Sequence, residues 1–260
     1  MITKSTIEEL PENLRKPLME MRIIINSYLM GLGFVHMDTS RDPSYNDNHF
    51  LSYLVQDLLQ SAISIVTLGA EGLLNVARRE VRFILEATIK LCYVQQKEYQ
   101  LTIREKIEKF DAELKSQRIS INRELNLFLL PEEERWPFIE ECGRIYGLTS
   151  SYVHLTPTQL NERIAATDAG RTSGKESPED IDELNKLVAR GLAASLVLLF
   201  HSVPQFVAGE LLVDRDGNGP DWYFAGSRFV AAVDSEYDYK HERQARLQQI
   251  QELRRSKIFF

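Results

Sequence analysis

The chain contains 260 residues, of which 43% are hydrophobic and 27% are charged, a composition that is typical of a folded domain and excludes a disordered chain. Its formal net charge of -7 excludes a broad nucleic-acid-binding surface, because such a surface needs many Lys and Arg side chains to neutralise phosphates. A local basic groove remains compatible with this charge.

The first predicted helix covers residues 16–34, where apolar residues recur at steps of three and four and so share one helix face. The run TSRDPSYNDN contains proline and turn-forming residues and predicts a loop. A second helical pattern over residues 50–94 is too long for one globular helix. We expect it to break near Gly69 and Gly72, because glycine costs about 1 kcal/mol inside a helix.

The chain continues with an amphipathic helix over residues 99–114, in which a narrow apolar stripe is flanked by ion pairs four residues apart. The prolines and acids of LLPEEERWPF favour a helix start, and we expect the next helix over residues 137–154. The polar linker DAGRTSGKESPEDID ends with Ser177 as N-cap and Pro178 in the first turn of a long core helix that reaches residue 213. The turn DRDGNGPDWY and a polar helix complete the chain.

Two features concern the cellular location. The most apolar run, residues 191–200, is too short to cross a bilayer, so we expect a buried core helix and no membrane. Cys92 and Cys142 lie in apolar helical patterns, and the N-terminus lacks the basic start and apolar core of a signal peptide. We therefore expect a cytoplasmic protein with reduced cysteines.

The sequence contains no strand-like alternation of useful length and no internal repeat, so we predict an all-α fold. Residues 1–170 are expected to form a helical bundle. Residues 171–260 add a linker, a long core helix, a turn and a basic C-terminal helix, which we expect to pack on the same core.

Polar residues at helical spacing mark two candidate sites. Tyr146, Ser150 and His154 follow one another at steps of four, and Arg82 and Glu86 are four apart on another helix. In a functional interpretation His154 transfers protons or binds phosphate. In a structural interpretation the first set bonds within itself at a helix end and the second set is an ion pair. Spacing alone favours the structural interpretation.

The stretches VARREVRFILEATIKLCYV and IYGLTSSYVHLTPTQL together resemble an uncharacterised bacterial family of all-helical proteins, whose marks are Arg-x-x-x-Glu in one helix and Tyr-x-x-x-Ser-x-x-x-His in another. That family is similar in outline to the HEPN superfamily of helical bundles, many of which are dimeric, metal-independent ribonucleases of toxin and antiphage systems. The resemblance covers residues 51–160.

This resemblance implies an HEPN-like helical bundle with additional C-terminal helices, in a bacterial defence or toxin system. It also implies a homo-oligomer, with RNA as a candidate substrate. As a ribonuclease, the protein would use His154 to exchange a proton with the ribose 2'-hydroxyl and an arginine to hold the phosphate. Glu86, Tyr146 and Ser150 would complete the catalytic pocket.

One departure from the HEPN pattern bears on catalysis. In the superfamily an arginine precedes the histidine by four to six residues, whereas Arg144 precedes His154 by ten. Arg82 would have to take its place from another helix. Two rival hypotheses therefore stand beside the enzyme: a non-catalytic interaction or sensor module that binds a protein partner or a small anionic ligand, and a structural subunit whose basic tail and final IFF dock on a larger assembly.

The turn DRDGNG matches the start of a calcium-binding loop through Asp214, Asp216, Asn218 and Gly219. The twelfth position of such a loop needs a bidentate glutamate and is Ala225 here, so a plain turn is the favoured interpretation. The sequence has no zinc-like Cys/His spacing, no glycine-rich phosphate loop and no Gly-x-Ser-x-Gly. We expect no cofactor and no bound metal.

Overall fold

The computed structural model describes residues 10–154, 156–170 and 177–260. This part of the chain is all-helical, with 74% helix and no strand, which confirms the all-α prediction. Its α-helices are α1 (Glu12–Thr39), α2 (Tyr45–Asn48), α3 (Leu51–Ala70), α4 (Leu74–Lys97), α5 (Ile103–Lys109), α6 (Asp111–Lys115), α7 (Glu132–Ser150), α8 (Pro157–Asp168), α9 (Pro178–Phe200), α10 (Gln205–Leu212), α11 (Arg228–Ser235), α12 (His241–Gln244) and α13 (Leu247–Lys257). Two 3₁₀ turns cover Ser120–Glu124 and Tyr223–Gly226.

Four long helices form the core. α1 packs against α3 and α9, and α4 packs against the same two helices, so the four stand in a ring with α1 diagonal to α4. Residues 191–200 of α9 are all buried, as the apolar run predicts. α7 lies outside the ring, against α4 and α9. The contact between α4 and α7 carries the candidate site.

The predicted break in the second helical pattern is confirmed. α3 ends at Ala70 and α4 begins at Leu74, with Gly72 between them at φ +69°, a left-handed conformation that glycine adopts without steric cost. The single helix predicted over residues 99–114 is wrong. α5 and α6 meet instead at Phe110, whose buried ring packs against Tyr93 in the core.

Other helix boundaries also differ from the prediction. α7 begins at Glu132 directly after Pro131, because the acidic residues of this first turn are favourable at the positive end of the helix dipole. It ends at Ser150, which leaves His154 in the turn that follows. The core helix predicted to reach residue 213 ends at Phe200, and α10 is a separate helix that begins after Pro204.

The C-terminal segment docks on this chain. Arg243 and Arg254 both bind the carboxylates of Asp234 and Asp238, so part of the charge of the basic helix is neutralised internally. The ring of Phe260 packs against the aromatic side chains of the second 3₁₀ turn. These contacts weaken the hypothesis of a tail that docks on a larger assembly.

By length and composition, α1 and α3 are each long and apolar enough to cross a membrane. Two such helices are weak evidence for a membrane protein, because core helices of soluble proteins pass the same test. The cytoplasmic location stays a prediction. So does the division at residue 170, and part of the expected linker, residues 171–176, lies outside the described residues.

Candidate functional site

Arg82 is the centre of the candidate site. It lies on α4, is only 6% exposed, and reaches across to α7. One of its terminal nitrogens donates to the Ser150 Oγ at 2.8 Å and the other donates to the Tyr146 Oη at 2.7 Å. The guanidinium carbon also lies 4.2 Å from the centroid of the Tyr146 ring. Hydrogen bonds and a cation–π contact therefore hold the two helices together at this point.

The two hydroxyl groups that accept from Arg82 donate their own protons elsewhere. Tyr146 Oη donates to the carbonyl oxygen of Gln117, and Ser150 Oγ donates to the carbonyl oxygen of Tyr146 at 2.7 Å. Burial raises the pKa of the Tyr146 hydroxyl, and the Arg82 charge offsets only part of this rise. Tyr146 is therefore a neutral phenol at physiological pH, and the polar network is satisfied.

Glu86 is shared between two cations on α4. Its carboxylate lies 3.8 Å from the Arg82 Nε and 2.7 Å from the Lys90 Nζ, and Lys90 also donates to the carbonyl oxygen of Leu114 at 2.9 Å. The predicted pair of Arg82 and Glu86 is present, but the shorter contact is the one with Lys90. The position of Lys90, four residues after Glu86, was the sequence signal for this pair.

Two further arginines hold the turn after α7. Arg79 donates through its Nε to the carbonyl oxygen of Tyr152, and the Arg78 guanidinium lies 4.7 Å from the Tyr152 ring centroid. Tyr152 in turn donates to Glu162 on α8 at 3.1 Å. Arg79 is exposed. These contacts fix the backbone that leads to His154.

His154 does not join the other four candidate residues. Its side chain is exposed, and it makes no hydrogen bond or ion pair with the part of the chain that the structure describes. Only its backbone N–H bonds back to Ser150, at 3.4 Å. The structure thus brings together Arg82, Glu86, Tyr146 and Ser150, and leaves the histidine on the surface beyond the helix end.

An open groove of about 670 Å³ lies between α3 and α4 beside this cluster. Its wall is largely apolar and includes Phe83 and Val153, the residue directly before His154. Phe83 is 43% exposed and Val153 is 42% exposed. The charged residues that line the groove are Arg79, Arg82 and Lys90, and Asp57, Glu80 and Glu86. Positive and negative groups are equal in number, so the groove has no net charge.

Two buried histidines, His49 and His201, lie outside the candidate site. Nδ1 of His49 accepts from the Leu51 N–H at 3.1 Å, and its Nε2 faces the carbonyl oxygen of Ser202 at 3.0 Å. Nε2 of His201 accepts from the Leu129 N–H at 3.0 Å, and its Nδ1 faces a carbonyl oxygen at 2.7 Å. Each ring therefore fits only its neutral form. Burial lowers the pKa of both imidazoles to about 4.

The residues of the DRDGNG turn bond to one another. The Asp214 carboxylate accepts from the N–H groups of Asp216 and Asn218 at 2.9 and 2.8 Å, which is the geometry of an Asx-type turn. Within the described ranges, no group of three or more His, Cys, Asp or Glu side chains is arranged to hold a metal ion. Cys92 and Cys142 are free and buried, and burial raises the pKa of both thiols.

No relative identifies the site. Comparison of this chain with family models, with curated proteins and with solved structures found no match. What the site does must therefore be argued from its own geometry.

Proposed function

We propose that the protein is an HEPN-like helical protein of a bacterial defence or toxin system, and that it acts as a non-catalytic interaction module. The contacts that Arg82 makes with Glu86, Tyr146 and Ser150 support the HEPN-like assignment, because these residues carry the resemblance and meet within one all-helical bundle. The link to defence or toxin systems rests on the resemblance.

The contacts of the buried Arg82 guanidinium are the observation that supports the non-catalytic assignment. Its nitrogens already face two hydroxyl groups and a carboxylate, in a side chain that is almost fully buried. An RNA phosphate bound here would have to displace hydrogen bonds that are each worth about 1.5–3 kcal/mol when the donor is charged. Arg82 is thus better suited to clamp α7 on α4 than to bind a phosphate.

The groove beside this clamp has the character of a protein-binding surface. It combines exposed apolar side chains such as Phe83 with equal numbers of acidic and basic groups. A polyanion would need an excess of positive charge, whereas an apolar centre with mixed charges around it suits a helix or loop of another protein. A protein partner is therefore the ligand that the groove fits best.

The test compares stability with activity in two variants. We expect the purified protein to leave an RNA pool intact in EDTA. We expect the free energy of unfolding of His154→Ala to lie within about 0.5 kcal/mol of the wild-type value, because the His154 side chain is exposed and makes no hydrogen bond with a described residue. We expect Arg82→Lys to be clearly destabilised. RNA cleavage that disappears in His154→Ala at unchanged stability would refute the non-catalytic assignment.

The second candidate is the metal-independent ribonuclease, and one observation favours it. His154 is exposed directly after Val153, which lines the groove, and the exposed Arg79 lines the same groove. In this function His154 would exchange a proton with the ribose 2'-hydroxyl, and Arg79 would hold the phosphate in place of Arg82. The network around Arg82 would then position the turn that carries His154.

The ribonuclease predicts that Arg79→Ala and His154→Ala each abolish RNA cleavage in EDTA and leave the fold intact. Arg104→Ala, on the exposed surface of α5, is the matched control and should cleave like the wild type. If the wild type does not cleave, the enzyme is excluded and the interaction module remains. If all three variants cleave equally, the cleavage does not depend on Arg79 or His154, and this assignment of catalytic residues is excluded.

A further inference from the structure

The charged side chains that line the groove between α3 and α4 differ in whether they already have a partner. Glu86 is held by Arg82 and Lys90 on its own helix, and both cations also donate to oxygens of neighbouring residues. Asp57 on α3 and Glu80 on α4 line the same groove, but neither makes a hydrogen bond or an ion pair with a residue that the structure describes. Each wall of the groove therefore carries one free carboxylate.

Arg79 is the third charged side chain of the groove that makes no ion pair with a described residue. It is the first residue of α4 in the groove, and its Nε donates to the carbonyl oxygen of Tyr152. Because Arg82 and Lys90 are already engaged, the charges left for a ligand to pair with are two carboxylates and one guanidinium. The groove thus has no net charge in total, but an excess of negative charge among its free groups.

The walls of the groove are the sides of two helices, which limits the kind of chain that fits there. Its lining on α4 runs from Arg79 to Leu91, which is about 18 Å and the length of a helix of about twelve residues. An extended segment would press its N–H and C=O groups against side chains such as Leu54, Phe83 and Ala87, and unpaired backbone groups are costly there. A helix bonds these groups internally, so a helix of about three turns fits the groove best.

We propose that the groove binds a basic amphipathic helix of a partner protein. The apolar face of this helix packs on Leu54 and Phe83, and lysine or arginine side chains along the edges of that face pair with Asp57 and Glu80. The net charge of -7 of the chain attracts such a helix as well. This inference rests on the proposed function, because it names the partner of the same groove. Exposed ion pairs are each weak, so they decide which helix binds more than how tightly it binds.

Selection from a random peptide library tests the kind of partner. Peptides of about fifteen residues, long enough for three helical turns, are selected on the wild-type protein and depleted on a Phe83→Asp variant, so that only groove-dependent binders remain. Phe83 is 43% exposed, so this variant should keep the fold, and thermal unfolding checks that it does. We expect the binders to carry apolar residues at steps of three and four, to contain an excess of lysine and arginine, and to become helical on binding in circular dichroism.

Charge variants of the protein test the two free carboxylates. The dissociation constant of a selected peptide is measured by fluorescence anisotropy. We expect Asp57→Asn combined with Glu80→Gln to raise this constant about threefold to tenfold, and we expect added salt to raise it as well. Glu242→Gln combined with Glu252→Gln is the matched control, because both side chains are exposed and lie outside the groove. This control should bind the peptide like the wild type.

The outcomes separate this inference from the proposed function. Groove-dependent peptides that are acidic, uncharged or extended would overturn the basic helix and leave the interaction module standing. So would a variant of Asp57 and Glu80 that binds unchanged, or a control that loses as much affinity as this variant does. A selection that yields no groove-dependent peptide would overturn both. Basic helical peptides that lose affinity only in the variant of Asp57 and Glu80 are the result that supports the proposal.

Discussion

Arg82→Met removes the guanidinium of the clamp and keeps a long side chain in its place. Two hydrogen bonds with a charged donor, at 2.8 and 2.7 Å, are worth about 1.5–3 kcal/mol each, and the contact with the Tyr146 ring at 4.2 Å adds about 1 kcal/mol. The loss is smaller than this sum, because Glu86 keeps Lys90 at 2.7 Å and both hydroxyl groups keep their own acceptors.

We therefore expect Arg82→Met to lower the free energy of unfolding by about 2–4 kcal/mol, which corresponds to a fall in Tm of roughly 5–15 °C for a chain of this size. Urea and thermal unfolding measure both quantities. Hydrogen exchange should also show faster exchange of the amides at the C-terminal end of α7, since the clamp holds that end on α4.

Arg104→Met is the matched control for this experiment. Arg104 is exposed on α5 and makes no hydrogen bond or ion pair with a described residue, so its loss should change stability by less than about 0.5 kcal/mol. If Arg82→Met behaves like this control, Arg82 does not clamp the helices, and the argument for a non-catalytic site fails with it.

Three further outcomes follow from buried groups and from glycine packing. Because the pKa values of His49 and His201 are about 4 in the folded protein and about 6.5 in the unfolded chain, the unfolded state binds more protons between these values. The free energy of unfolding should therefore fall by about 2 kcal/mol per histidine as the pH drops from 7.5 to 5. Urea unfolding at the two pH values measures this change, and equal unfolding midpoints would contradict it. His201→Gln should weaken that pH dependence by about half, and an unchanged slope would show that His201 is not its source. Gly191→Ala should lower the free energy of unfolding by about 1–3 kcal/mol, because the added Cβ would lie 2.5 Å from a valine methyl group on α4. Gly143→Ala has open space at its Cβ and should raise the free energy of unfolding by about 0.5–1 kcal/mol. Equal shifts in Tm in the two variants would refute this difference in packing.

Local chemistry explains the helix boundaries that were predicted correctly. The glycine break near Gly72 and the capping box of Ser177 with Asp180 depend on groups within a few residues of one another. The same is true of the ion pairs along α4, where Glu86 meets Arg82 and Lys90 at helical spacing. Boundaries were missed where distant packing decided them, as at Phe110 between α5 and α6.

The candidate site shows the limit of this local information. Sequence spacing indicated that Tyr146, Ser150 and His154 share one helix edge, but α7 ends at Ser150 and only the first two contact Arg82. Their partner lies 64 and 68 residues earlier in the chain, so no periodicity within either helix specifies the contact. The groove between α3 and α4 is likewise formed by two faces that the sequence describes separately.

The sequence by itself determined the helical class, the apolar face of α1 and the break between α3 and α4, because these follow from backbone preferences and from side chains three or four residues apart. Only the tertiary structure decided which faces meet, which hydroxyl groups Arg82 binds, and that His154 stays exposed. The reason is physical: helical periodicity orients side chains about one axis, whereas contacts between helices depend on how whole helices pack against one another.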